Sequence, residues 1–152
     1  MIFVIQRVGN SRVLIEKNII SKIKKGLLIF IGIEKFDKKT DIEYIVKKTL
    51  NIRIFPDKKN NMNLSVKDVN GEIMLVSQFT LCADTKKGRR PSFNNAAPPS
   101  KAKLLYNDII RKFKETNLNV KTGEFGANMN IEINNNGPVT IILNSKDNDY
   151  EN

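Results

Sequence analysis

Residues 2–8 fit a two-residue period, with Ile2, Val4 and Val8 on one side and Phe3, Ile5 and Arg7 on the other, which predicts a strand. Gly9-Asn10 is a turn signal, and Ser11–Glu16 alternates again through Val13 and Ile15, as a hairpin partner would. Lys17-Asn18 marks a second turn. Gly26–Ile33 is a continuous, β-branched apolar run of strand length, read as a buried central strand. The period then changes. Ile42, Ile45, Val46 and Leu50 recur at three- and four-residue intervals, which predicts an amphipathic helix over Asp37–Leu50 capped by Asp37 or Thr40. Ile52–Phe55 is a short strand stopped by Pro56, followed by a polar loop over Asp57–Asn63. Gly71–Leu81 is a strong strand. Residues 82–99 hold few apolar positions, and an ordered loop of that length in a small domain is often functional. Leu105, Ile109 and Phe113 line one face of a second helix over Ser100–Thr116. Three strands follow, Val120–Thr122, Met129–Asn134 and Val139–Leu143, and the polar chain from Asn144 is expected to fray.

About eight strands and two helices, with strands running consecutively, predict an α/β (α+β) domain with an antiparallel-rich mixed sheet. Residues 1–145 read as one domain and 146–152 as a polar tail. Two helices cover one face of such a sheet. The other must be buried by a second copy of the chain, or the sheet must curl toward a barrel.

Composition narrows the chemistry. The 152 residues include 26 Lys+Arg, 16 Asp+Glu and no His, for a net charge of +10. Without His there is no Ser-His-Asp triad, no Cys-His dyad and no His-ligated zinc. Cys82 is alone, so there is no intramolecular disulfide and no thiolate cage, and it reads as a small buried apolar residue. No metal or cofactor is expected. No apolar run approaches the roughly 20 residues of a membrane span. Residues 1–8 lack the charged start and cleavage site of a signal peptide, so a cytoplasmic location is expected. The positive excess suits a polyanionic partner. Yet only six of the basic residues are Arg and Asn occurs 20 times, a Lys/Asn abundance that an AT-rich genome also produces.

Several segments are candidates for function. Ser77-Gln78-Phe79-Thr80 ends a hydrophobic strand; it either begins a plain turn or presents hydroxyl, amide and backbone N–H groups to a pocket rim. Thr80 as a nucleophile would need a base, and an exposed Lys86 or Lys87, with an ordinary pKa near ~10.4, is a poor one. Lys86-Lys87-Gly88-Arg89-Arg90 is the densest positive cluster, either a solubilising loop or a phosphate-backbone contact. Phe125 and Met129 either pack within a strand or form an apolar floor on which a base stacks. Gly137-Pro138 is either a hairpin turn or a rigid element aimed at a ligand.

Val4-Ile5-Gln6-Arg7-Val8, Asn63-Leu64-Ser65-Val66, Val76-Ser77-Gln78-Phe79-Thr80-Leu81, Asp84-Thr85-Lys86-Lys87-Gly88, Arg90-Pro91-Ser92-Phe93, Ala97-Pro98-Pro99, Thr122-Gly123, Phe125-Gly126-Ala127 and Asn136-Gly137-Pro138-Val139-Thr140 together resemble D-aminoacyl-tRNA deacylases. The resemblance covers nearly all of residues 1–144 in order. Asn128, where Asp is common, and Cys82, where an aromatic is common, depart from it.

The resemblance implies a cytoplasmic homodimer of the same fold, acting as a carboxylic ester hydrolase without a cofactor. It would free D-amino acids, and mischarged glycine, from the aminoacylated 3′ end of tRNA in translational quality control. It implies catalytic roles for Ser77, Gln78, Phe79 and Thr80. It also implies a cis Gly137-Pro138 element that enters the partner's pocket and excludes L side chains, with Arg7 orienting that element. Ala102, Phe125 and Met129 would hold the terminal adenosine, and Lys86, Lys87, Arg89 and Arg90 would meet tRNA phosphates. The mechanism expected with these parts is assistance by the ribose 2′-hydroxyl. The alternative is a non-catalytic RNA-binding module using the same basic loop.

Overall fold

The computed structural model describes residues 1–150, with side chains through Asp147. In chain order it runs β1 (Ile2–Ile15), β2 (Asn18–Ile23), β3 (Gly26–Gly32), α1 (Lys39–Asn51), β4 (Phe55–Pro56), β5 (Met62–Leu64), β6 (Glu72–Ser77), a 3-10 turn (Phe79–Cys82), α2 (Pro99–Lys114), β7 (Val120–Thr122), β8 (Asn130–Asn144) and a second 3-10 turn (Ser145–Tyr150). β3, β6 and β7 are parallel neighbours, while β1 pairs antiparallel with β2, β3 and β8. This is the mixed, antiparallel-rich sheet expected, nearly closed into a barrel, with two principal helices.

The alternating side chains of the central strands divide between two cores. Leu27, Ile29 and Ile31 of β3, with Ile73 and Leu75 of β6, face α1 and α2 and pack with Ile42, Ile45, Leu105, Ile109 and Phe113. Leu28 and Met74, with Val76, point the other way, where Val8, Val13 and Ile23 meet them. The second face is therefore covered by the sheet curling on itself.

That curl corrects the hairpin expected at Gly9-Asn10. β1 is one continuous strand, and Gly9-Asn10 lies at register irregularities against β8. Phe3 and Ile5 belong to the helix-side core, whereas Val8 and Val13 belong to the other. The odd-numbered positions change face between residues 5 and 13, as an extra residue in a period-2 strand requires. The real hairpin turn follows, with Glu16 and Lys17 at positive φ, and returns as β2, a strand the polar pattern concealed.

Three further expectations are corrected. β6 stops at Ser77, and Phe79–Leu81 belong to a 3-10 turn because Leu81 N–H bonds Gln78 O (3.2 Å). Residues 130–144 form one strand interrupted by a bulge, where two had been expected. The chain after Asn144 does not fray at its start: Ser145 is buried, and Ser145 N–H bonds Met1 O (2.9 Å). Residues 151–152 of the expected tail lie outside the described residues.

The helix cap differs as well. α1 begins after Lys38, whose N–H bonds Asp41 Oδ2 (2.8 Å). Asp37 is turned inward: its Oδ1 takes the Met1 ammonium at 2.7 Å and its Oδ2 takes Glu34 N–H at 2.6 Å. Ser145 Oγ accepts from the same ammonium (2.9 Å), and Lys146 pairs with Glu34. An ammonium in so dry a place survives only with such partners.

Candidate active site

The parallel strands end on one side of the molecule, the place where α/β sheets commonly bind ligands. A cavity of about 770 Å³ lies there, in the range of a small-molecule site. Its walls come from the end of β3 and the residue just past it (Ile31, Ile33), from the end of β6 (Val76, Ser77), from the loop before α2 (Phe93, Asn94 and 96–98), from the first turn of α2 (Pro99, Ala102), and from Phe125–Met129.

Local contacts fix these parts. Gln78 N–H bonds Ile31 O (2.8 Å), which ties the start of the 3-10 turn to β3. Gly32 makes the approach possible: a Cβ there would lie 2.8 Å from Leu81 Cβ and 3.3 Å from Cys82 Sγ. The first N–H groups of a helix have no intrahelical acceptor. Since the first bond of this turn is donated by Leu81, the turn itself leaves the Phe79 and Thr80 N–H groups free. Gln78 Nε2 donates to Thr80 Oγ1. Phe79, 59% exposed, meets Phe93 edge-on with ring centres 5.0 Å apart. Across the cavity Phe125 packs on Tyr106, whose hydroxyl donates to Leu75 O (2.9 Å). Met129 Sδ accepts Glu124 N–H (3.4 Å), and Gly123 leaves room for that sulfur.

Of the residues singled out in the sequence, Ser77, Gln78, Phe79, Ala102, Phe125 and Met129 line this one cavity. Thr80 is exposed beside it on the same turn. Lys86, Lys87, Arg89 and Arg90 stand outside the lining, on an exposed loop closed by paired backbone bonds between Asp84 and Ser92 (2.7 and 2.9 Å). Lys35, Asn94 and Ala96 were missed as wall residues. A lysine in a turn and small residues in a polar loop carry no periodic signal, so only the tertiary fold brings them in.

Gly137 and Pro138 do not line the cavity of their own chain. They sit in β8, where four residues, Asn136–Val139, bulge opposite the single residue Arg7. The Gly137-Pro138 peptide is cis, and Gly137 takes φ 137°, a region open essentially to glycine. Arg7 grips the bulge: Nε donates to Asn136 O (2.9 Å), Nη2 to Asn136 Oδ1 (3.3 Å) and Nη1 to Ile54 O (2.6 Å). Within β8, Val139 N–H bonds Asn135 Oδ1 (2.9 Å) across the bulge.

Titration adds little at the cavity. Burial pushes the Tyr106 phenol far up, so it stays a neutral donor. Cys82, the last residue of the 3-10 turn, is pushed up to about 11 by burial and then by the Glu34 and Asp37 carboxylates, which makes it an inert thiol. Among the described residues, no group of three or more acidic or Cys side chains could hold a metal ion, and no helix is long and apolar enough to cross a membrane.

What meets at the cavity is an apolar wall and a 3-10 turn whose first two N–H groups have no acceptor within the turn, at one end of a nearly closed mixed α+β sheet. Comparison with known proteins narrows the class. A family model described as D-Tyr-tRNA(Tyr) deacylase matches residues 4–144, and the chain belongs to that family. It is 51% identical over 143 residues to the D-aminoacyl-tRNA deacylase of Thermosipho africanus (strain TCF52B), covering 94% of this chain and 96% of that one. It is 53% identical over 145 residues to that of Clostridium botulinum (strain Alaska E43 / Type E3), covering 95% and 97%. Among solved structures, the c-Myc DNA Unwinding Element Binding Protein superposes with a TM-score of 0.90 at 38% identity, covering 95% of this chain and 98% of that one. A probable eukaryotic D-amino acid tRNA deacylase superposes with a TM-score of 0.78 over 93% and 97% at 15% identity, a likeness of fold.

Proposed function

We propose that this protein hydrolyses the ester linking a D-amino acid, or mischarged glycine, to the 3′-terminal adenosine of tRNA. The observation carrying the proposal is the cavity itself, about 770 Å³ with Ala102, Phe125 and Met129 in its wall and Phe79 at its rim, next to a 3-10 turn whose first two N–H groups have no acceptor within the turn, in a chain with no His. Ala102, Phe125 and Met129 form the wall for adenine. Water adds to the ester carbonyl carbon. The negative charge gathering on the carbonyl oxygen is met by the Phe79 and Thr80 N–H groups. Collapse breaks the bond to ribose O3′, which takes up a proton, and a free D-amino acid and tRNA leave. The ribose 2′-hydroxyl orients or activates the water, the part that no side chain of this chain is equipped to play. Ser77 and Gln78 shape the rim, and Gln78 fixes the Thr80 hydroxyl.

Chirality is assigned to the Gly137-Pro138 bulge of a second copy in a homodimer. Its carbonyl oxygens would fill the space an L side chain needs, whereas a D side chain points elsewhere. Arg7 steadies the bulge; a guanidinium presents several donors at once, here to the backbone carbonyl and the side-chain oxygen of Asn136. Lys86, Lys87, Arg89 and Arg90 would contact tRNA phosphates, a salt-sensitive contribution without base readout. The proposed setting is the cytoplasm.

Thr80→Ala and a 2′-deoxy-terminated D-aminoacyl-tRNA test the chemistry. The reading expects the mutant to keep most activity and the deoxy substrate to lose it. Normal turnover of the deoxy substrate with a dead Thr80→Ala would make Thr80 the nucleophile. Incubation with D-Tyr-tRNA and L-Tyr-tRNA tests the class: release of the D-amino acid alone is expected. Tight tRNA binding without release of either would make the protein a binding module.

A further inference from the structure

Phe36 has no place in the cores or the cavity lining, yet it is 86% exposed, more than any other large apolar residue described. Its surroundings are ordered. Glu34–Asp37 is a closed turn, with Asp37 N–H on Glu34 O (3.2 Å) and Glu34 N–H on Asp37 Oδ2 (2.6 Å). The turn is fastened to the cavity rim: Lys35 N–H bonds Asn95 O (3.0 Å), and Lys101 Nζ donates to Lys35 O. Lys35 itself lines the cavity, and Lys101 precedes Ala102, which does so too. An aromatic ring therefore stands one residue beyond the rim, on backbone held from three sides.

The charge around it is sorted. Both carboxylates of the turn are spent inward. Asp37 is 4% exposed and bound to the Met1 ammonium, and Glu34 is shared between that ammonium and Lys146. The basic residues of the same segment are turned out: Lys35 and Lys38 are exposed, and Lys101, half-buried, is bonded to Lys35 O. An exposed aromatic ring on a surface rich in lysine is the combination with which proteins hold a base of single-stranded nucleic acid by its π-face and the attached phosphate by charge.

Taking the proposed substrate as given, we infer that Phe36, with Lys35 and Lys101, is a stacking platform for the base preceding the terminal adenosine of the tRNA 3′ strand. The terminal adenosine enters the cavity. On this assignment the chain leaves the cavity over the Lys35 side of the rim, and the next base back is the one set on this ring. Phe36 is thus a positioning residue that acts on binding and does not touch the reacting ester.

The test compares Phe36→Ala, Phe36→Leu and Phe36→Trp on two substrates, D-aminoacyl-tRNA and 3′-O-D-aminoacyl-adenosine, which lacks the preceding nucleotide. Loss of one stacked base predicts a rise in KM of about 5- to 150-fold for Phe36→Ala on the tRNA with kcat unchanged. No change is expected on the adenosine ester, recovery in Phe36→Trp, and little recovery in Phe36→Leu. A second readout needs no hydrolysis. A CCA-ended minihelix with 2-aminopurine in the penultimate position should be quenched by the wild type and not by Phe36→Ala. Equal KM values for wild type and Phe36→Ala on tRNA, or equal losses on both substrates, would overturn the assignment. So would an altered sedimentation mass with unaltered KM, which would give Phe36 to a protein contact. A wild type that quenches the probe but cleaves nothing would sink the proposed activity and leave the platform standing.

Discussion

The Arg7 fork offers a quantitative test of how the Gly137-Pro138 bulge is held. Arg7→Lys keeps the charge and most of the stem but replaces a planar three-way donor with a point ammonium. The guanidinium serves Asn136 O, Asn136 Oδ1 and Ile54 O at once, acceptors belonging to β8 and to the chain just before β4. A lysine reaches one side of that span. The two Asn136 bonds are exposed, so water replaces them at small cost, while the bond to Ile54 O is partly buried at 2.6 Å. Losing a charge-assisted bond and leaving that carbonyl short of a donor costs about 2 kcal/mol. For a domain of this size that is a fall in Tm of about 4–8 °C. If the same free energy holds the bulge in its rejecting position, discrimination between L- and D-aminoacyl-tRNA should fall by about 30-fold. The assays are thermal melting and single-turnover hydrolysis of matched D- and L-tyrosyl-tRNA. An Arg7→Lys protein that melts within about 1 °C of wild type and still rejects the L substrate would refute the reasoning, because the bulge would then need no fork.

Gly32→Ala should push the 3-10 turn outward, since the new methyl would lie 2.8 Å from Leu81 Cβ. Overpacking of this kind costs about 1–3 kcal/mol, and steady-state kinetics should show a larger fall in kcat than the urea midpoint implies. Burial raises the Glu34 carboxyl, but the Lys146 hydrogen bond and the Met1 ammonium outweigh it and hold its pKa below the usual 4.5. The ionised form is thus favoured by folding. Its stabilisation is complete above pH 4.5 and drains away as the pH falls through the lowered value, and urea midpoints from pH 7 to 3 should show a shallower acid limb in Glu34→Gln. Cys82, with its thiol near 11, should alkylate about two orders of magnitude more slowly than an ordinary thiol at pH 8 in the native protein, and normally after unfolding, as mass spectrometry would record.

The elements legible in the sequence were those whose faces see uniform surroundings. β3 is buried on both sides, and α1 and α2 each press one stripe on the sheet, so their periods are clean. Legibility failed where the chain changes face or partner. At Gly9-Asn10 the phase slip that lets β1 serve two cores looks like a turn, because both turns and bulges favour small and polar residues. β2 hid because its exposed side chains, Ile19 and Ile20 among them, follow no inside-outside rule. The cap of α1 was misassigned because Asp37 has a more demanding client in the Met1 ammonium, 36 residues away in the chain. The cavity was partly legible: Ser77–Phe79, Ala102, Phe125 and Met129 meet there, but Lys35 and the Phe93–Pro99 wall depend on a turn docking against a loop.

A site without His places unusual weight on the backbone. The donors proposed to meet the oxyanion are backbone N–H groups, which no substitution other than proline removes. Their position depends on two things the sequence encodes far from any catalytic motif. One is the bond from Gln78 N–H to Ile31 O, which ties the turn to the end of β3; the other is the space left by Gly32 for Leu81. Sensitivity to mutation should accordingly be inverted relative to a triad enzyme. Removing the Thr80 hydroxyl leaves the N–H groups where they were, and the Gln78 amide it bonded is free to turn to water. Adding one methyl at Gly32 removes no functional group, yet moves both donors together. An oxyanion donor is worth about 3–4 kcal/mol only while it stays within hydrogen-bonding reach of the developing charge, so displacing the turn costs more than trimming it.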